Sequence, residues 1–370
     1  MKRAAPRQNL LLPTGTETLH LREAARHREI TRTMEHIFDL WGYQPAETPL
    51  VDFFDLYRRF LSEEDARSMY RTVDAQGEIL AVRADTTLFL AKQLGLHLTA
   101  EELPVRIQYN QQIVRSEGVD DIASNEYQQA GVELVGVPGT EGDVEILLLL
   151  VETMDHLGRQ DAVLHVGSHK ILHTVATALE IAPDAVPTLT EAIIQRRPET
   201  AVPGLPGDIT ALLRFIGSGE EFATALSAWN LPPAVRAAAV ELHERVELTA
   251  HLLTPAPADD SLENVGPRIR VDISELGAHP YYSGIAFSAY CSSATAAVAR
   301  GGRYDTLLAQ FGFDAPSVGF SMYTRKLPPD TMAKATTPPP QAPGSAGSQG
   351  LQERVTRQRA AHQRGERMTL

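Results

Sequence analysis

Cysteine is nearly absent from this 370-residue chain, in which Cys291 is the only one. A single cysteine allows no internal disulfide and is typical of a reducing compartment, so we expect a cytoplasmic protein. Long apolar runs are also absent, because the longest, Ile146–Val151, falls far short of the roughly 20 residues of a membrane span. Lys2 and Arg3 are not followed by the apolar stretch of a secretory signal peptide. These absences predict a soluble protein with no membrane partner.

A surplus of basic residues is missing as well. The sequence has 34 Lys and Arg against 47 Asp and Glu, which gives a formal net charge of −13. Proteins that bind nucleic acid usually present a basic surface, because neutralising phosphates supplies most of the affinity. The acidic balance therefore argues against a nucleic-acid partner. Hydrophobic residues make up 43% of the chain, as in ordinary globular proteins, and the length suits two domains.

A long amphipathic helix is predicted near the start of the chain. Its apolar residues recur at helical spacing at Ile30, Met34, Ile37, Phe38 and Trp41. We expect Thr16 or Thr18 to cap its start and Gly42 to end it, before an extended segment that leads to Pro49. The pattern is also typical of any helix that packs on a sheet.

Asp85 and Thr87 lie at a predicted junction between a strand, Ile79–Arg83, and a helix, Thr87–Leu96. Aspartate and threonine are common helix caps, so capping alone explains both residues. A carboxylate and a hydroxyl are also the acceptors that an ammonium group requires. Both interpretations stay open at this point.

Two alternating segments, Val105–Arg115 and Glu126–Gly136, predict a β-hairpin around the polar stretch Ser116–Asn125. Gln129 and Glu133 are four residues apart on the second strand, so their side chains share one face. A guanidinium at the end of the first strand offers a planar pair of donors to an oxyanion. The alternative is a surface strand with its polar face in water.

Histidines recur every four residues at His165, His169 and His173, which raises the question of a metal site. His165 belongs to a predicted strand, Ala162–Val166, so only the other two share a helix face, and no metal is expected. A strongly helical pattern precedes this strand at Gly142–Leu157. The alanine- and leucine-rich stretch that follows is broken repeatedly by proline and predicts an inserted helical unit.

The last third of the chain holds a predicted strand, Ile269–Ile273, and a tyrosine pair in the segment Tyr281–Phe287. Tyrosine offers both a ring face and a hydroxyl to a ligand, although paired tyrosines on a strand are often simply core. The diglycine of the segment Gly301–Asp305 suggests a tight turn with positive φ. Tyr304, directly after it, is placed to close a pocket.

In this order, the segments around Asp85, from Arg115 to Glu133 and from Tyr281 to Asp305 resemble the histidine-binding core of class II histidyl-tRNA synthetases. The resemblance implies an α+β fold, with an antiparallel sheet flanked by helices and a helical insertion. The implied units are a mobile N-terminus (1–12), a core (13–168 and 261–327), a helical insertion (169–260) and a disordered tail (328–370).

The same resemblance implies roles for the candidate residues. Asp85 and Glu133 would receive the amino group of histidine, Arg115 its carboxylate, and Gln129 and the tyrosines its ring. The candidate histidine-binding residues are Asp85, Thr87, Arg115, Gln129, Glu133, Tyr281, Tyr282 and Tyr304. Neither a cofactor nor a metal ion is implied.

The sequence departs from the synthetase pattern where ATP and tRNA are handled. The hairpin loop carries Val119–Ala123 with two aspartates, which would repel a triphosphate. Gly277 stands where synthetases have an arginine that activates the carboxylate, and Lys326 where an arginine stacks on adenine. After Pro328 the composition is that of a disordered segment instead of an anticodon-binding domain.

These losses make the chain similar to the regulatory subunits of ATP phosphoribosyltransferase, a family of synthetase paralogues. Membership implies a subunit without catalysis of its own, which dimerises and assembles with a short-form catalytic subunit into a hetero-octamer. It also implies feedback inhibition by L-histidine in the first step of histidine biosynthesis. The alternatives are a class II amino-acid adenylating ligase that uses ATP and Mg²⁺, and a stand-alone amino-acid sensor.

Overall fold

The structure is a computed structural model that describes residues 12, 15–16, 18–61, 63–116, 125–253, 268–277, 281–292, 294–328 and 331. Several expectations fall outside these ranges. They are the mobile start before Leu12, the acidic loop Val119–Ala123 and nearly all of the tail 328–370. All three stay predictions.

The predicted helices and strands occur in the predicted order, together with several elements that the sequence did not indicate. The described α-helices are α1 (Arg22–Leu40), α2 (Phe54–Arg58), α3 (Glu63–Ser68), α4 (Thr86–His97), α5 (Gly139–His156), α6 (His169–Ala178), α7 (Val186–Ile194), α8 (Pro198–Ala201), α9 (Gly207–Leu213), α10 (Gly219–Ala228) and α11 (Pro233–Leu253). The described strands are β1 (Gln44–Pro45), β2 (Val51–Phe53), β3 (Arg71–Val73), β4 (Ile79–Val82), β5 (Val105–Val114), β6 (Glu126–Val135), β7 (Val163–Ser168), β8 (Ile216–Gly217), β9 (Ile269–Asp272), β10 (Ile285–Tyr290), β11 (Ala299–Arg303) and β12 (Ser317–Tyr323).

One large sheet has the strand order β1-β5-β6-β12-β11-β10-β7-β9-β8, and a small sheet has the order β2-β4-β3. Neighbouring strands of the large sheet are antiparallel except in the pairs β1–β5 and β7–β9. The predicted antiparallel sheet flanked by helices is thus confirmed, with two parallel pairs that strand patterning did not indicate. Parallel partners require a long crossover connection, and α6–α11 supply it between β7 and β9.

The predicted cap of α1 at Thr16 or Thr18 is wrong. The helix begins at Arg22, after Leu21, whose φ of 42° lies in the left-handed region, and no side chain caps the first turn. A left-handed residue interrupts helical geometry, so the threonines stay outside the helix. The predicted end is confirmed, because Gly42 has a φ of 80° and the hydrogen bonds of a Schellman motif close the last turn.

The predicted apolar face of α1 packs on one face of the large sheet. Ile30, Met34, Ile37 and Phe38 are fully buried, and the ring of Phe38 meets the ring of Phe320 on β12 edge-on, with centroids 5.9 Å apart. Full burial of an aliphatic or aromatic side chain contributes about 1.5–3 kcal/mol. This face of the sheet therefore holds the main hydrophobic core and leaves the opposite face for polar chemistry.

The apolar run Ile146–Val151 lies inside α5 and is buried throughout. The buried Glu145 on the same helix forms two 2.7 Å hydrogen bonds with Arg106 on β5, which offset the cost of removing its charge from water. Among the described residues, no helix has the length and apolar character that a membrane span would need.

Helices α6–α11 occupy the region of the predicted insertion. Leu189, Ile209 and Phe222 from these helices belong to the same hydrophobic core as the large sheet. Pro198 and Pro233 begin α8 and α11, where proline is tolerated because the first N–H groups of a helix have no internal partner. The boundaries 169–260 stay a prediction.

The diglycine does not form the predicted tight turn. Gly301 and Gly302 lie inside β11, paired with Phe287 and Ala286 of β10. The reason for glycine is space, because a Cβ at 301 would lie 2.4 Å from the Phe287 ring and one at 302 would lie 2.7 Å from the Tyr282 ring. Glycine is required here because neighbouring groups approach the backbone closely, and not because the backbone has a positive φ.

Candidate functional site

Asp85 stands between β4 and α4, and both of its carboxylate oxygens are occupied. Oδ1 accepts a hydrogen bond from the N–H of Leu88 at 3.1 Å, so the predicted capping role is confirmed. Oδ2 accepts from Nε2 of Gln129 at 3.1 Å and lies 3.4 Å from Nη2 of Arg115. Capping therefore accounts for one oxygen, and the other is directed towards the predicted site residues.

Gln129 on β6 is fully buried and uses both ends of its side-chain amide. Oε1 accepts from the N–H of Thr86 at 2.8 Å, while Nε2 donates to Asp85. These bonds fix the first turn of α4 against the sheet. A direct contact between Gln129 and a ligand ring stays a prediction, whereas its observed contacts hold Asp85 in place.

Glu133 lies on the same face of β6, as the alternation of the strand predicted, and is only 3% exposed. Oε1 accepts a hydrogen bond from Oγ1 of Thr87 at 2.7 Å, and Oε2 accepts one from the hydroxyl of Tyr304. Burial raises the pKa of Glu133 to about 8, although the two hydrogen bonds lower it. The nearby charge of Asp85 adds to the rise. The carboxyl group is thus largely protonated at neutral pH.

Arg115 follows the last residue of β5 and turns back towards the start of α4. Its Nε donates to the carbonyl of Ala84 at 2.6 Å, and Nη2 forms the long ion pair with Asp85. The Arg115 side chain is 20% exposed, so part of it reaches solvent. The structure therefore places Arg115 and Asp85 side by side in an ion pair that the sequence did not indicate, and each offsets the charge of the other.

Three tyrosines form a wall of the site. The ring of Tyr281 meets the rings of Tyr282 and Tyr304 edge-on, with centroids 5.3 and 5.7 Å apart. Such edge-to-face pairs are worth about 0.5–1.5 kcal/mol beyond the area they bury. Burial raises the pKa of all three hydroxyl groups, so they are neutral donors and acceptors at physiological pH.

These side chains surround a cavity of about 120 Å³. It is lined by Asp65, Asp85, Thr87, Arg115, Glu133, Tyr281, Tyr282, Arg300, Gly301, Tyr304, Gly319, Phe320, Ser321 and Tyr323. Seven of the eight predicted residues are therefore brought together, and Gln129 stands behind Asp85. A larger open depression of about 420 Å³ near Arg58 and Arg71 contains none of the predicted residues.

Residues 15–327 match the protein family described as histidyl-tRNA synthetase. The chain belongs to this family. A relative from Moorella thermoacetica, named ATP phosphoribosyltransferase regulatory subunit, is 30% identical over 338 residues, which cover 89% of this chain and 83% of the relative. A relative of the same name from Geobacter sulfurreducens is 28% identical and covers 84% of this chain and 70% of the relative. The resemblance inferred from the sequence is confirmed.

Solved structures show the same fold. A crystal structure described as an ATP phosphoribosyltransferase regulatory subunit/histidyl-tRNA synthetase from Bacillus halodurans C has a TM-score of 0.74 at 20% identity, over 87% of this chain and 83% of the other. A histidine–tRNA ligase subunit from Alicyclobacillus acidocaldarius has a TM-score of 0.68 at 24% identity, over 87% and 97%. The predicted α+β fold of class II synthetases is confirmed.

Gly277 and Lys326, which stand where the synthetase pattern has arginines, each fit their surroundings in this chain. Gly277 has a φ of 68°, and a Cβ there would lie 2.4 Å from the ring of Tyr282, so an arginine would not fit without moving the wall of the cavity. The ammonium of Lys326 lies 5.1 Å from the ring centroids of both Tyr127 and Tyr323. It is thus occupied by cation–π contacts with the protein itself.

Several residues of the site were missed in the sequence, among them Asp65, Tyr109 and Arg300. Tyr109 on β5 is buried beneath it, with its hydroxyl 3.2 Å from Oγ1 of Thr87. Arg300 on β11 borders the cavity. The available signal was strand alternation, because Arg300 precedes Tyr304 by four residues and therefore shares its face of the sheet.

The histidine repeat is divided between two elements, as expected. His165 lies on β7 with Nδ1 2.9 Å from Oδ2 of Asp272, whereas His169 and His173 are on α6. Burial lowers the pKa of His169 to about 4, and its Nε2 contacts the carbonyl of Leu276. Within the described ranges, no three His, Cys, Asp or Glu side chains are grouped for a metal ion.

Proposed function

We propose that this chain is the regulatory subunit of an ATP phosphoribosyltransferase and senses L-histidine through the cavity beside Asp85 and Glu133. Two observations together support the proposal. Relatives of this chain are named as such subunits, and the cavity is small and lined by acids, arginines and tyrosines. A short-form catalytic subunit would be its partner, and the first step of histidine biosynthesis the reaction it controls.

The chemistry of the cavity supports an amino acid as the ligand. Asp85 and Glu133 offer carboxylate oxygens to an ammonium group, and Thr87 adds a hydroxyl between them. Arg115 offers a guanidinium to a carboxylate at the same edge. The neutral tyrosine hydroxyls and ring faces suit an imidazole, which is both a hydrogen-bonding group and an aromatic ring.

Feedback inhibition would follow from linkage between the cavity and the assembly. Histidine shifts an equilibrium only by the difference between its affinities for two states, and such couplings are typically about 1–3 kcal/mol. We propose that the subunit dimerises within a hetero-octamer and that histidine favours an assembly state in which the catalytic partner is inactive. Loss of the subunit would then remove both activation and inhibition.

Adenylation is not part of the proposal. The glycine at 277 leaves no guanidinium at that position, and Lys326 is held by Tyr127 and Tyr323. Loss of one positioned electrostatic group lowers catalytic rates by about 10²–10³-fold. The observation that favours an adenylating ligase instead is Arg115, which stands at the cavity as an activating arginine would.

The test is reconstitution with a short-form catalytic subunit. We expect phosphoribosyl transfer to require this chain and histidine to inhibit it, and we expect calorimetry to show saturable histidine binding that is lost in Glu133→Ala. Arg67→Ala, which removes an exposed ion pair outside the lining of the cavity, serves as the matched control and should bind normally. Histidine-dependent ATP–pyrophosphate exchange by the chain alone would favour the ligase and overturn the proposal.

A further inference from the structure

The charges around the cavity leave one cation without a fixed partner. Asp85 and Arg115 form an ion pair, and the Nε of Arg115 is already bonded to the carbonyl of Ala84. Glu133 is buried, and burial raises its pKa to about 8, so it is largely protonated at neutral pH. A zwitterionic ligand brings a carboxylate that requires a positive group, and the paired Arg115 meets only part of that requirement.

Arg300 is the remaining guanidinium that borders the cavity. On β11 it pairs with Ser288 of β10 on one side and with Ser321 of β12 on the other, so its immediate neighbours in the sheet are small. The side chain is exposed, and within the described ranges it forms neither a hydrogen bond nor an ion pair. It is therefore free to turn towards a ligand.

Acidic groups near Arg300 already have other partners. Glu275 is partly buried and accepts hydrogen bonds from the hydroxyls of Ser288 and Tyr290. Burial raises the pKa of Glu275 and the charge of Arg300 opposes that rise, but the two side chains form no ion pair within the described ranges. A carboxylate that enters the cavity would thus find Arg300 available instead of neutralised.

We propose that Arg300 binds the carboxylate of the ligand and makes the cavity select an α-amino acid over the corresponding amine. This inference rests on the proposed function, because it takes histidine as the ligand of this site. Arg115 then contributes a second donor while it holds Asp85. A charged hydrogen bond of this kind contributes roughly 1.5–3 kcal/mol, or about 10- to 100-fold in affinity.

The experiment compares histidine with histamine, which lacks the carboxylate, by calorimetry on the full chain. We expect the wild type to prefer histidine by at least about 10-fold and Arg300→Met to lose most of that preference, with Arg115 retaining the rest. Arg300→Lys should retain part of the preference. Arg71→Met, which removes the same charge outside this cavity, should behave as the wild type.

The outcomes separate the two proposals. If the wild type prefers histidine and Arg300→Met keeps that preference, this inference is overturned while the histidine site stands. If Arg300→Met weakens histidine and histamine equally, its role is structural and the inference is again overturned. If the wild type binds neither ligand, the effector of the proposed function fails and the role of Arg300 fails with it.

Discussion

Glu133 is the residue at which the chemistry of the cavity and the stability of the fold meet. Its carboxyl group is almost completely buried, and the hydroxyls of Thr87 and Tyr304 donate to it. A buried carboxylate without a cation is unfavourable, which is why its pKa rises to about 8. An ammonium ligand would supply the missing charge and favour release of the proton.

The first prediction concerns Glu133→Gln. Because the folded pKa lies above the ordinary value of 4.5, the wild type loses stability as the pH rises from about 4.5 through about 8. The amide carries no charge, so the variant should match the wild type at pH 5 and exceed it at pH 8.5 by about 1–3 kcal/mol. Urea denaturation at both pH values measures this.

A difference in the free energy of unfolding between Glu133→Gln and the wild type that is the same at both pH values would contradict the raised pKa. Glu102→Gln is the matched control, since hydrogen bonds from Thr99 lower the pKa of that exposed glutamate. Its contribution to stability is lost only as the pH falls below about 4.5, so the difference between this variant and the wild type should stay nearly constant between pH 5 and pH 8.5.

The first turn of α4 connects the residues of the cavity with strand β6 of the large sheet. Asp85 caps the helix, Gln129 holds the capping residue and the N–H of Thr86, and Thr87 one residue later reaches Glu133. One turn of helix thus presents two polar groups to the cavity. The capping role of Asp85 occupies one carboxylate oxygen, so it does not exclude the binding role that we propose for the other.

The second prediction separates these roles with Asp85→Ala. Loss of the cap costs about 1 kcal/mol, and the buried amide of Gln129 loses its acceptor at a further cost of about 1–3 kcal/mol. Histidine binding should be lost as well. Chemical denaturation and calorimetry on the same sample measure both effects.

Ser218→Ala provides the matched control for a helix cap. Ser218 caps α10 through a capping box with Glu221, at a helix that does not border the cavity. Its replacement should cost about 1 kcal/mol of stability and leave histidine binding unchanged. Equal binding losses in the two variants would mean that binding responds to stability alone.

Asp143 connects distant parts of the molecule. On α5, it accepts a hydrogen bond from Nε of Arg245 on α11 at 2.5 Å and from Nε of Arg303 on β11 at 2.6 Å. All three side chains are buried. The helical segment between β7 and β9 is thereby tied to the strand that carries Arg300, in addition to sharing its hydrophobic core.

The third prediction is that Asp143→Ala lowers the free energy of unfolding by about 3–5 kcal/mol, because two buried guanidinium groups lose their shared carboxylate. We expect one cooperative transition to shift as a whole, since the helices and the sheet share one core. Thermal unfolding followed by circular dichroism measures it. Arg67→Ala, which breaks an ion pair with both side chains more than three-quarters exposed, should change stability by less than about 1 kcal/mol.

Local patterns in the sequence determined the elements and most of the site. Apolar spacing marked α1, alternation marked β5 and β6, and the four-residue interval put Gln129 and Glu133 on one face. These features depend on neighbours in the chain, so they can be read from it. The resemblance to the synthetase core selected eight candidate residues from these motifs. Seven of the eight line one cavity in the structure.

Only the tertiary structure decided which groups are already paired. The sequence could not show that Gln129 is saturated, that Glu133 is buried deeply enough to hold its proton, or that Arg300 borders the cavity without a partner among the described residues. It also misplaced the start of α1 and the role of the diglycine. Pairing, burial and close contact depend on residues that are distant in the chain, such as Thr86 and Gln129, 43 positions apart, and Glu133 and Tyr304, 171 positions apart. Their relative positions are fixed only when the helices and the sheet pack together.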